Sequence, residues 1–78
     1  MLNPKISFMM DYVTSVVVSC IVKDDALPVE EAMKVFYNSH VFDRLRDVDT
    51  GLYRESGAYV YELYKTEKKH GRLVQEEI

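Results

Sequence analysis

The sequence predicts an all-α fold: a compact bundle of about four helices, the third one short. Three observations carry this. Apolar residues recur at three-and-four spacing, the breaks between periodic segments hold helix-capping residues, and only three Gly and two Pro interrupt 78 positions. With 47% hydrophobic and 29% charged residues and a formal net charge of −3, the chain is too apolar and too weakly charged to stay disordered. Its length fits a single domain, residues 1–78.

The first helix is expected over residues 4–23, where Asn3 supplies an N-cap side chain before Pro4, whose ring already holds helical φ. Its valine content favours a strand locally. Ile6, Met9, Met10, Val13, Val16, Val17, Cys20 and Ile21 nevertheless keep the period of a helical face from end to end. Ser7, Asp11, Thr14, Ser15, Ser19 and Lys23 make the polar side, yet Phe8, Tyr12, Val18 and Val22 interleave with them. This helix is apolar on more than one side.

Asp24, Asp25 and Ala26 form a break, and Pro28 begins a second helix with Glu30 and Glu31 near the positive end of its dipole. Val29, Ala32, Met33 and Phe36 supply its buried stripe. Ser39 caps a short third helix in which Phe42, Leu45 and Val48 face inward, with Asp43 and Arg46, and Arg44 and Asp47, spaced for ion pairs outside. A turn at Asp49, Thr50 and Gly51 and a link over 52–55 lead to Ser56, which caps a fourth helix carrying Tyr59, Val60, Leu63 and Tyr64 on one face, with Tyr61 rotated away. Gly71 reads as its stop, and residues 71–78 read as a frayed tail or, from Leu73 on, a detachable motif. The expected core is Ile6, Met9, Val13, Val16, Cys20, Met33, Phe36, Phe42, Leu45, Val60 and Leu63.

Several function classes are set aside by composition. A single cysteine, Cys20, makes no internal disulfide, and two histidines give no Cys/His cluster of zinc spacing, so neither a metal nor a cofactor is expected. Cys20 lies among Val16, Val17 and Ile21, as a core atom does, while His40 and His70 have no catalytic partner at a suggestive spacing and read as surface residues. Polar residues break the apolar run of the first helix, which predicts no membrane span, and the N-terminus lacks a signal-peptide cleavage pattern. The expected localisation is cytoplasmic. Asp49-Thr50-Gly51 is also the triplet that holds the carboxylate of aspartic proteases, but its flanks lack the apolar strands that chemistry needs, and a turn explains it fully. No catalytic site is written.

The basic run Lys65, Lys68, Lys69, His70 and Arg72 offers a phosphate-binding alternative, that of a small nucleic-acid-binding or transcription-linked module. The acidic balance of the whole chain opposes it. Cations near a helix C-terminus have a simpler role in complementing its dipole.

The segments Val29-Glu30-Glu31-Ala32-Met33, Phe36-Tyr37-Asn38-Ser39, Val41-Phe42-Asp43-Arg44-Leu45, Thr50-Gly51-Leu52-Tyr53 and Ser56 to Leu63 together resemble a family of small all-α bacterial proteins. The resemblance extends over residues 27–67. Such proteins are similar to antitoxin-like partners encoded beside toxin genes, including ADP-ribosyltransferase-like ones, and carry no catalytic motif. What the resemblance implies is a non-enzymatic protein–protein interaction module that neutralises a larger partner; the acidic residues Asp24, Asp25, Glu30 and Glu31 are the candidate contacts for a basic surface or cleft on it. The residues add an expectation of their own. A chain this small cannot cover both apolar sides of its first helix, so Phe8, Tyr12, Val18, Val22 and Tyr61 are expected at an interface, in a homodimer or against a larger partner such as a toxin.

Overall fold

The computed structural model describes residues 3–70, and the stop at Gly71 and the tail over 71–78 lie outside them. Four α-helices follow in order: α1 (Pro4–Asp25), α2 (Val29–Tyr37), α3 (His40–Arg46) and α4 (Gly57–His70), with 3-10 turns at Val48–Thr50 and Leu52–Arg54 before α4. No strand occurs among the described residues. The predicted all-α bundle with a short third helix is the observed fold.

Each helix starts where local chemistry dictates. The Asn3 side chain accepts from the Lys5 amide at 2.8 Å, the Ser39 hydroxyl from the Phe42 amide at 3.1 Å, and the Ser56 hydroxyl from the Tyr59 amide at 3.1 Å. α1 runs through Asp24 and Asp25 and stops at Ala26, whose φ of 54° is left-handed. Pro28 sits at the N-cap position of α2, not inside it. The turn after α3 closes through Thr50, whose hydroxyl donates to the Arg44 and Asp47 carbonyls, and through Gly51 at φ 67°. Asp49 is exposed there, as a turn residue.

α1 packs against α2 on one flank and α4 on the other. Phe36 centres the core, edge-on to Phe42 at 5.3 Å and to Tyr64 at 5.8 Å. The buried face of α1 is Met10, Val13, Val17, Val18 and Ile21. That face is turned by somewhat less than one residue's step, about 100°, from the one expected. Met9 is therefore exposed, while Ile6, Val16 and Cys20 are half-buried. At Val16 the backbone of α4 packs directly on α1 through Gly57, where a Cβ would clash with the valine side chain. Val29, expected in the core, is exposed, and Met33 and Phe42 are half-buried. Val41 of α3 and Leu52 and Tyr53 of the link, outside the expected core, are buried.

A further correction concerns α3. The pairs Asp43–Arg46 and Arg44–Asp47 are not among the ion pairs of the described residues; Arg46 reaches Asp11 of α1 at 3.6 Å. By length and composition alone, with a mean hydropathy of 1.5 over its most apolar window, α1 is long and apolar enough to cross a membrane. In this fold its Met10, Val13, Val17 and Ile21 face is packed into the core.

Candidate interaction surface

The molecule is a slab of 34 × 30 × 18 Å, about two helices thick, so one long side of α1 stays in water. Between α1 and α2 runs a groove of about 500 Å³ lined by Asp11, Thr14, Ser15, Val18, Ser19 and Val22 from α1 and by Val29, Met33 and Tyr37 from α2. The i, i+4 spacing of Val29, Met33 and Tyr37 puts these three in one row beside the buried Ala32 and Phe36. The Thr14 hydroxyl is spent on the Met10 carbonyl at 2.8 Å, and Tyr37 leans on Phe42 at 4.8 Å. Hydroxyls and apolar groups dominate the walls, and Asp11 marks one end.

Two sequence-predicted interface residues sit beside this groove and are open to solvent: Phe8 is 71% exposed and Tyr12 61%. Phe8 neighbours Asp11, Tyr12 and Ser15 at helical spacing, which makes the aromatic pair continuous with the groove wall. Val22 is half-buried along it. Val18 is only 8% exposed, because α2 covers most of it, so it belongs to the fold as well as to the groove.

Tyr61 overturns its expectation. It is buried, and its hydroxyl donates to an Asp24 carboxylate oxygen at 2.6 Å, joining α4 to the end of α1. Burial foremost, then the hydrogen bond and the charges of Asp24 and Asp25, push its ionisation well above the ordinary tyrosine value of 10.0. Its spacing from Gly57 and Tyr64 places it on the buried face of α4, and only its partner on α1 comes from the tertiary fold. Asp24 is thereby engaged within the fold, whereas Asp25, Glu30 and Glu31 are exposed around the α1–α2 turn, where the groove ends at Val22 and Val29.

The remaining chemistry-bearing groups have structural partners. Glu67 of α4 accepts from the His40 and Val41 amides at 2.9 and 3.0 Å, and the His40 ring lies 3.5 Å from the same carboxylate. Sequence spacing had given His40 no carboxylate partner; the contact spans 27 residues. In the basic run, Lys65 pairs with Glu62 at 3.0 Å and lies 4.9 Å from the Tyr61 ring centroid, and Lys68 lies 5.9 Å from that of Tyr64. A second cavity of about 340 Å³, between α2 and α4, is lined by Lys34, Val35, Asn38, Ser39, Tyr64, Glu67 and Lys68. The buried Tyr64 hydroxyl has no hydrogen-bond partner among the described residues, and burial raises its ionisation too. Cys20 is a free, half-buried thiol, and no group of three metal-ligating side chains converges among the described residues.

No known protein family, curated protein or solved structure matches the chain.

Proposed function

We propose that this chain is a non-enzymatic protein–protein interaction module, an antitoxin-like neutraliser that applies its α1/α2 face to a larger partner. One observation carries the reading: Phe8 and Tyr12 stand in water beside a groove walled by Val18, Val22, Val29 and Met33. A surface of that kind gains free energy when another chain covers it. Its rim supports the sign of the partner. Asp25, Glu30 and Glu31 crowd the groove's far end, so a basic surface on the partner complements them.

Co-expression with the product of the neighbouring reading frame tests this. The partner should co-purify with the wild-type chain and be lost from Phe8→Glu and Tyr12→Glu, two exposed positions whose substitution leaves the helical circular dichroism unchanged. Capture that survives both substitutions sinks the assignment of the face. Reversal of Glu30 and Glu31 to lysine should weaken capture most at low salt, where charge steering acts.

A further inference from the structure

We propose that in the free protein the α1/α2 face is covered by a second copy of this chain, the two α1 helices packing antiparallel about a two-fold axis at Ser15. The proposal rests on the interaction reading above and names an occupant of the same face. Phe8 and Val22 stand equally far along the chain from Ser15, before and after it. A two-fold axis there sets Phe8 of one copy level with Val22 of the other, each about 10 Å from the axis at 1.5 Å rise per residue. Tyr12 reaches the level of Val18 and Ser19 in the same way. The most exposed aromatic thus meets the apolar end of the facing copy's groove, and a serine at the crossing leaves nothing bulky to hold the helix axes apart.

The area available agrees with what a stable dimer needs. Phe8, Tyr12 and Tyr37 are 71%, 61% and 43% exposed, which at about 200 Å² for each ring leaves about 350 Å² of aromatic surface in water. Val29, 53% exposed, adds about 50 Å². Two copies together offer about 800 Å² of large apolar side chain, and an interface about 60% apolar built on that area totals about 1,300 Å². Specific, stable interfaces begin at about 1,200 Å².

Sedimentation equilibrium on the full chain is the first test. A species of twice the 9.1 kDa chain mass is expected at tens of micromolar; a single species of chain mass throughout overturns the proposal. Ser15→Arg, at an exposed position, should convert the dimer to a monomer with unchanged helical content, and a dimer that survives it overturns the placement of the axis. In a Cys20→Ala background, Ser15→Cys should form an intermolecular disulfide on mild oxidation far faster than Lys34→Cys, which lies on the α2/α4 side. Equal rates overturn the antiparallel crossing. A strictly monomeric chain that still captures its neighbour's product through Phe8 and Tyr12 removes the second copy and leaves the interaction reading standing.

Discussion

The Tyr61 hydroxyl and the Asp24 carboxylate, 2.6 Å apart, tie the second turn of α4 to the last turn of α1. Because the phenol is buried and donates to a charged acceptor, Tyr61→Phe should cost about 1–2 kcal/mol in urea unfolding. The pH dependence follows from the raised ionisation. Below pH 10 the folded and unfolded chains both keep the phenolic proton, so the contribution is fully present; above it the unfolded chain loses a proton that the folded chain retains. Stability then falls with pH by about 1.4 kcal/mol per unit for each such tyrosine. Tyr64 is shifted in the same direction, so Tyr61→Phe should lessen the alkaline slope without abolishing it. An unchanged slope between pH 10 and 11 refutes this account.

Gly57 marks a close approach of the α4 backbone to α1. A Cβ there would stand 2.4 Å from Val16 Cγ1 and 2.7 Å from Val16 Cβ, and neither atom can swing away on a long side chain. Gly57→Ala should therefore destabilise the fold by about 1–3 kcal/mol, despite the better helix propensity of alanine. Val16→Ala opens the space, so the double variant should be more stable than the sum of the two single changes predicts. Strict additivity in thermal melts would falsify the contact.

How far the sequence foretold this molecule depends on which signal is asked. Capping chemistry is local, so Asn3, Ser39 and Ser56 were legible as helix starts, and with them the number and order of the helices. The rotation of α1 was not legible. Val16, Val17 and Val18 are consecutive and equally apolar, so they offer a hydrophobic group to three different faces, and only the packing of α2 and α4 against α1 selects among them. The exposed aromatics Phe8 and Tyr12 were visible as a second apolar side because no burial could be found for them on one wheel. Tyr61 was misplaced because the stripe was centred on the wrong side of α4: with Gly57 and Tyr64 at helical spacing it belongs to the buried face, from which it reaches Asp24, and Tyr59, expected on the core side, is the exposed one. The groove's α2 wall was hidden because Val29 and Met33 fit a core stripe as well as an exposed row.

Glu67 acts at a distance as a cap for α3. With Ser39 it satisfies three amides at that helix's N-terminus, those of His40, Val41 and Phe42. Glu67→Gln keeps the shape but loses the charge, so it should cost about 1 kcal/mol, and Glu67→Ala more. Hydrogen exchange gives the local readout. The His40 and Val41 amides should exchange faster in Glu67→Ala, with the interior amides of α1 changing only as global stability does.

Ala26 is the place where this fold is strained without an evident return. It ends α1 in the left-handed region at φ 54°, the lone non-glycine residue with positive φ among those described. An L-residue with a Cβ is disfavoured there by about 1–2 kcal/mol, and glycine is the usual occupant of such a helix end because it has no Cβ to crowd the following carbonyl. Glycine also frees the unfolded chain, which offsets part of the gain by about 0.4–1 kcal/mol. The strain is the larger of the two, and Ala26 is exposed, so its methyl group contributes no burial. Ala26→Gly should therefore raise stability by about 0.5–1 kcal/mol in chemical denaturation, with an unchanged denaturant slope. A loss of stability on that substitution would mean that the stiffness of the unfolded chain outweighs the strain at the end of α1.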